Sequence, residues 1–453
     1  MNTMGPEQPE STEKRAPAKP AEQEPPKPRP RRVFRFRAIK ALKKLFNIPL
    51  SQGVLQATSR FLEQCNLTES SRNFASALSS RVATLKGHQQ PHILITDSME
   101  QPVSPGTLQV AHLGDVLVAL VTLIRGDFAG EITLALSRDD LPVGNISPAL
   151  ESDTSWRDGP LSRSYLLEID KALRILEGRG VRVESTLAIP PFRPVPHRNQ
   201  LLNTTPTLAA LPEERVTLES YSTDKPEFLG YNYRFPDRVS YTFNSTGYRN
   251  DFEHDVSRPH SIVLGCSLVE GVGIPYEHTV SQRLQRLKGH DVLCLGCQGG
   301  SISYMYRSFL NHLAQRPTQL QSVYAVFTEI HRFEVPDDSF YFRNGVYSTV
   351  SAWSDEKPMK ELSRVGVGFV YSSAYLTYLF LKEHCQRQGI PFSPVFYNYW
   401  NPRPEFYANV YGEDLSARLW GNRFPDLGRD GLHPGKRSIA ELAELLYKCR
   451  PQG

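Results

Sequence analysis

The sequence predicts an α/β protein whose C-terminal part is a doubly wound domain built on a parallel sheet. Two observations carry that prediction. From His260 to Lys448, short aliphatic runs alternate with helical stretches, and the runs enter the helices through short loops, as βαβ units do. A weaker version of the same alternation begins upstream at His92. Ligands on such sheets bind at the carboxyl ends of the strands, so those strand ends are where chemistry is expected.

The elements follow in order. Residues 1–30 are rich in Pro, Glu, Lys and Gln and poor in large apolar residues. Such a segment cannot offset the entropy of ordering and is expected to be a disordered tail. Residues 31–48 then place Phe36, Ile39, Leu42 and Leu45 or Phe46 at helical spacing with Arg and Lys between them. That is a basic amphipathic helix. It suits a peripheral membrane or protein contact through residues 31–46, or a helix packed on its own domain with a solvated basic face. Residues 49–90 read as a helical segment.

An N-terminal α/β domain is expected over 91–215. Its strands are His92–Thr96, Glu131–Leu136 and Val181–Ile189, and its helices are Leu113–Ile124 and Ser164–Glu177. Pro-rich residues 190–212 read as a linker, and residues 216–255 connect to the second domain, 256–453. There the expected strands are His260–Leu264, Asp291–Leu295, Ser322–Thr328 and Phe392–Tyr397. The helices are Glu277–Leu287, Ser303–Ala314, Tyr371–Gln388 and Lys436–Lys448. An aromatic-rich insertion, Phe333 to Trp353, is a candidate lid or substrate wall, or a loop packed on itself.

Bulk composition bounds the class. The 453 residues suffice for two domains with real cores. Hydrophobic residues make up 40% and charged residues 22%, a globular composition. The net charge of +4 is concentrated near the start, so it gives no reason to expect nucleic acid. No apolar run is long enough to span a bilayer, and residues 1–19 lack the apolar core of a signal peptide. The six cysteines are scattered and form no disulfide framework. A cytoplasmic protein with reduced thiols is the expectation.

Two stretches carry candidate chemistry. In Ile262-Val-Leu-Gly-Cys-Ser-Leu-Val-Glu-Gly271, an apolar strand runs through Gly265 and Cys266 into Ser267 and a glycine-containing turn. A serine at a strand tip exposes its hydroxyl, and its own amide can face a developing oxyanion. Alone, it reads equally as a capping serine. In Arg429-Asp-Gly-Leu-His-Pro-Gly435, a carboxylate and an imidazole stand three residues apart before the last helix. A serine nucleophile needs such a base, and the base needs an orienting acceptor. Alone, this segment reads as a helix entry capped by Asp430.

Together the two ends resemble the SGNH (GDSL-like) hydrolase family. Gly265-Cys266-Ser267 stands where the family has Gly-Asp-Ser, and Asp430-Gly-Leu-His433 matches its Asp-x-x-His block. The lead-in Phe243-Asn-Ser-Thr-Gly-Tyr-Arg249 is similar to the segment preceding the first block in some bacterial members. The resemblance runs from about Tyr241 to the end and does not touch residues 1–215. It implies a flavodoxin-like three-layer α/β/α domain, with Ser267 as nucleophile, His433 as base and Asp430 supporting it. It implies an esterase acting on O-acylated carbohydrate or a similar small ester, with no cofactor and no metal. Acyl transfer to a sugar uses the same triad.

The middle blocks depart from the family pattern. In Cys294-Leu-Gly-Cys-Gln-Gly-Gly300, Cys294 replaces the common Asn, and Gly296 supplies the second oxyanion amide after that of Ser267. The third block usually offers an Asn side chain. Here Thr328-Glu-Ile-His-Arg332 stands in its place, so the third donor is one of Thr328, His331 and Arg332. Losing such a donor costs ~10²–10³ in rate, and this motivates a second class of function, a non-catalytic binding or scaffold protein on the same fold. Cys294 and Cys297 have a metal-like spacing but no partner pair, which favours small packing thiols over zinc or redox roles. Glu270 and Glu329 could line the pocket, but the reading preferred for each is a solvated surface carboxylate.

Overall fold

The computed structural model describes residues 92–98, 106–110, 112–136, 160–186, 216–218, 241–244, 246–330, 332–335, 343–344, 347–350, 356–397, 404–421, 424–428 and 433–449. The predicted tail, basic helix, helical segment and Pro-rich linker lie outside these residues.

The protein is α/β with two parallel sheets. The first sheet has the order β2-β1-β3-β4. It comprises β1 (His92–Thr96), β2 (Thr107–Gln109), β3 (Glu131–Ala135) and β4 (Arg182–Ser185). Helix α1 (Leu113–Arg125) joins β2 to β3, and α2 (Pro160–Gly178) joins β3 to β4. Both crossovers advance in the same direction across the sheet. Right-handed connections therefore put both helices on one face. Ile93, Ile95, Ile132 and Leu134 line that face and are buried with Leu120, Ile169 and Leu176 of the helices. A short antiparallel pair, β5 (Val216–Leu218) with β6 (Tyr241–Phe243), precedes the second sheet.

The second sheet is built from β7 (His260–Gly265), β8 (Asp291–Gly296), β9 (Leu320–Phe327), β13 (Phe392–Tyr397) and β14 (Leu419–Trp420). Its order is β14-β13-β9-β7-β8, all parallel. In sequence rank that is 2-1-3-4-5, the flavodoxin-like order that the resemblance implies. Between β7 and β8 lie the one-turn helix α3 (Ser267–Glu270), a 3₁₀ turn (Tyr276–His278) and α4 (Val280–Lys288). Helix α5 (Ile302–Ala314) leads from β8 to β9.

The path reverses at β7. It steps one way to β8, then back across β7 to β9. The same handedness rule therefore puts α4 and α5 on opposite faces. Val280 and Leu284 of α4 are buried with Val263, Val292, Val326 and Val395. Tyr306 and Phe309 of α5 are buried with Ile262, Leu264, Phe327 and Phe396 on the other side. That reversal makes the carboxyl ends of β7 and β9 the switch point of the sheet.

Four further pieces belong to the described residues. A small antiparallel sheet joins β10 (Phe333–Val335), β11 (Arg343–Asn344) and β12 (Tyr347–Val350) in the order β10-β12-β11. The aromatic insertion thus contains a sheet of its own, and Phe340, Tyr341 and Phe342 lie outside the described residues. Helix α6 (Glu356–Arg387) starts fifteen residues before the expected Tyr371. Pro358 falls in its first turn, where proline is tolerated, and the helix runs through Gly366 and Gly368 despite their weak helix preference. Helix α7 (Pro404–Tyr411) and the two-residue β14 were not foreseen. Helix α8 (Lys436–Lys448) closes the fold on the α4 face, through Ile439, Leu442 and Leu446. No described helix is long and apolar enough to cross a membrane.

The two sheets share one apolar core. Residues of β1, β3, α1 and α2 belong to the same buried cluster as those of α5, α6 and α7. Charged groups are buried inside that layer. Lys171 of α2 donates to Glu168 at 2.7 Å and to Thr377 of α6 at 3.0 Å. Glu168 Oε1 also accepts from Ser303 of α5 (3.2 Å) and Ser373 of α6 (2.9 Å). Arg307 of α5 binds both oxygens of Glu334 in β10, with neither side chain exposed by more than 1%.

At the amino end of β7, opposite the switch point, imidazoles cluster. His260 Nε2 and His312 Nε2 are 3.0 Å apart, and Asn250 donates to His254 Nε2 at 3.1 Å. One ring of the first pair donates and the other accepts, so a further proton would set two N–H groups against each other. Burial, reinforced by His260, pulls His312 down to about 3, and burial pulls His254 down to about 4. Both lie below the ordinary value of 6.5. The unfolded chain therefore binds more protons in the window between. Stability is complete above pH ~6.5 and falls as the pH drops toward 4, by about 2 kcal/mol per imidazole between pH 7 and pH 5. Urea unfolding at those two pH values measures it. His312→Phe should remove about 2 kcal/mol of the difference, and an unchanged difference would refute the assignment.

Candidate functional site

Three strand ends of the second sheet converge at its switch point. β7 delivers Ser267, β8 ends at Gly296, and β9 is followed by Thr328. The register pairs Gly265 with Gly296 and Leu264 with Ala325, which sets these residues side by side along one rim.

Ser267 opens the single turn α3. Cys266 is extended (φ −109°, ψ −152°), and its carbonyl accepts the amides of Val269 and Glu270. The leading amides of a helical turn have no partner within it, so the amide of Ser267 is available to an oxyanion. Turn and sheet approach too closely for side chains at two positions. A Cβ on Gly265 would lie 2.4 Å from Val269 Cγ2. One on Gly296 would lie 2.7 Å from Val269 Cβ and 2.9 Å from the Glu270 amide nitrogen. Glycine at both allows the serine-bearing turn to settle on the strand ends.

The lead-in to β7 fastens that turn from behind. Arg249, 1% exposed, donates to the carbonyls of Glu270, Gly271 and Ile274, and its guanidinium lies 4.1 Å from the Tyr241 ring centre. Tyr241 Oη accepts the Gly273 amide at 2.8 Å. Asn250 pairs with the edge strand β8 as a neighbouring strand would. Its Oδ1 accepts from Cys294 N at 3.0 Å, and its Nδ2 donates to Cys294 O at 3.3 Å. Sequence reasoning noticed Arg249 only as part of a familiar lead-in and passed over Asn250.

The imidazole arrives from the other end of the chain. His433 Nε2 lies 2.9 Å from Ser267 Oγ, and the two residues are 166 positions apart. A short bridge between Leu427 and Pro434, with the Gly428 amide donating to His433 O at 2.8 Å, pins the loop's ends. A Cβ on Gly428 would come within 3.1 Å of Gly273 O, so this loop lies directly on the loop that follows Ser267. Asp430 lies outside the described residues.

The cap of the last helix comes from Asp426. Its Oδ2 accepts the Arg437 amide at 2.9 Å, and its Oδ1 accepts the Ser438 amide at 2.9 Å and the Ser438 hydroxyl at 2.8 Å. Gly435, the capping position itself, contributes no side-chain bond. A cap of this kind is worth ~0.5–2 kcal/mol. Asp426 was not foreseen, because it precedes the helix by ten residues and no local capping pattern includes it.

At the third strand end, Thr328 is 3% exposed, and its hydroxyl has no hydrogen-bond partner among the described residues. Arg332 donates from Nε and Nη2 to a single oxygen of Glu329, at 2.8 Å each. His331 lies outside the described residues. Two surface expectations are corrected. Glu270 is fully buried and Glu329 only 6% exposed, because Glu270 ends the turn packed on β8 and Glu329 is drawn in by Arg332. Cys294 and Cys297 are both buried. Burial pushes the Cys294 thiol up to about 12 and Cys297 well above its usual range, the reverse of what thiolate chemistry needs. No disulfide joins any two of the described cysteines, and no described group of three or more His, Cys, Asp or Glu could hold a metal ion.

No family model matches the chain, and no curated protein does. Among solved structures the chain is similar to a carbohydrate esterase family 2 (CE2) enzyme plus carbohydrate binding domain from Corynascus thermopiles (Myceliophthora fergusii). The identity is 12% and the TM-score 0.28, over 47% of this chain and 70% of that one. A likeness at that score carries no argument about fold or activity.

Proposed function

We propose that the chain is a serine ester hydrolase working through an acyl-enzyme. Ser267 is the nucleophile, His433 the general base and Asp430 the carboxylate that orients it. The observation that carries this reading is the 2.9 Å separation of Ser267 Oγ from His433 Nε2 at the switch point of a parallel sheet. A hydroxyl at that distance can pass its proton to the imidazole as Oγ attacks an ester carbonyl. The new Oγ–C bond forms as the carbonyl π electrons move onto oxygen. The resulting oxyanion is met by the amides of Ser267 and Gly296. Thr328 is assigned as the third donor, because its buried hydroxyl has no hydrogen-bond partner among the described residues. The imidazolium then protonates the leaving alcohol. Water, deprotonated by His433, releases the acid and restores Ser267.

The substrate class implied by the SGNH resemblance is an O-acylated carbohydrate or a similar small ester, and transfer of the acyl group to a sugar would use the same intermediate. The division that goes with this reading is an SGNH-like domain over 256–453, a connecting segment over 216–255 and an N-terminal α/β domain over 91–215. A fluorophosphonate probe tests the reading. The full chain should label on one serine, and Ser267→Ala should take no label while keeping its thermal midpoint. A folded chain that stays unlabelled would exclude hydrolysis and return the second class, a binding or scaffold protein on this fold.

A further inference from the structure

The loop that replaces the family's third block runs from Thr328 to β10. Its near end is set by β9 in the catalytic sheet. Its far end is not, because β10 pairs with β12 in a separate sheet. Among the described side chains of β10, Glu334 ties the strand to the helices. Its carboxylate is bound by Arg307 Nε (3.2 Å) and Nη2 (2.8 Å), and its main-chain carbonyl accepts from Ser164 Oγ at 3.1 Å. Ser164 is 2% exposed and belongs to α2, the helix from the N-terminal sheet.

Ser164 is one end of a polar stripe. Glu168 and Lys171 follow on α2 at spacings of four and three residues, on the same helix face. They bond to Ser303 on α5 and to Ser373 and Thr377 on α6. Buried polar groups in an otherwise apolar contact are satisfied in one axial register only, and a slip of one turn leaves them unpaired. The stripe therefore locks α2 against the helices under the catalytic sheet. Its last member, Ser164, reaches the strand that ends the active-site loop.

We propose that α2 is a positioning element for the site, with Ser164 the residue that couples the N-terminal sheet to the loop 328–335. This rests on the hydrolase reading above. The loop carries Thr328 and the Glu329–Arg332 pair, and Thr328 lies at the strand end beside Ser267. A shift of β10 would displace Arg332 and the Glu329 side chain bound to it, and so disturb the surroundings of Thr328, without touching Ser267 or His433.

The test uses the intact chain, p-nitrophenyl acetate turnover and the rate of fluorophosphonate labelling. Ser164→Ala should lower kcat and the labelling rate by roughly tenfold, with KM little changed. Ser164→Thr, which keeps the hydroxyl, should restore both. Glu334→Gln should repeat the loss in kcat, because its amide cannot pair with Arg307 as a carboxylate does. A Ser164→Ala chain that labels at the wild-type rate, with or without a lower thermal midpoint, overturns the proposal. Failure of the wild-type chain to label at all overturns the hydrolase reading and this proposal with it.

Discussion

Replacing His433 by alanine is expected to lower ester hydrolysis by about 10⁴-fold or more, with the fold and thermal midpoint retained. The argument is one of proton placement. At neutral pH a serine hydroxyl is a poor nucleophile until a base within hydrogen-bond reach takes its proton, and His433 Nε2 holds that position at 2.9 Å. A triad acts as a unit, so Ser267→Ala, His433→Ala and the double variant should fall to nearly the same residual rate. That residue of activity would come from the oxyanion amides, which neither substitution removes. Single-turnover hydrolysis of p-nitrophenyl acetate separates chemistry from product release. Multiplying losses in the double variant, or a His433→Ala chain of near wild-type rate, would show that the two residues do not act together.

The second large effect concerns stability. Lys171→Met should cost about 3–5 kcal/mol of unfolding free energy, because it leaves the Glu168 carboxylate buried without a counter-charge. Glu168 and Lys171 are each no more than 1% exposed, so water cannot take the place of the missing ammonium. Adding Glu168→Gln to the same chain removes the stranded charge and keeps an acceptor for Ser303 and Ser373. The double variant should recover to within about 2 kcal/mol of the parent. Denaturant unfolding of the single and double variants measures this coupling. Equal losses in the two would mean that no buried ion pair is present.

Local pattern made part of the fold legible. The apolar runs at His260, Asp291 and Phe392 are short, flanked by Gly or Pro, and sit where the structure has strands. The start of α6 was missed by fifteen residues because two glycines, weak helix formers, break the local pattern within it. β14 has two residues and no signal of its own. It exists because its backbone pairs with Phe396 and Tyr397. The site divides in the same way. Gly265, Ser267, Gly296 and His433 were readable as residue types at strand and helix boundaries. Asp426, Asn250 and the burial of Glu270 and Glu329 depend on partners remote in sequence, so no window along the chain could display them.

By itself, then, the amino-acid order determined the main strands and helices of the second sheet, and which hydroxyl and imidazole stand at their ends. Those follow from side-chain periodicity and turn chemistry acting over a few residues. The tertiary structure alone decided that the serine turn and the histidine loop share one rim, and that the N-terminal helix layer is continuous with the core beneath it. Both are outcomes of chain reversal at β7 and of burying apolar faces against each other. Such long-range pairings are selected by the whole packed core, and no local stretch encodes them.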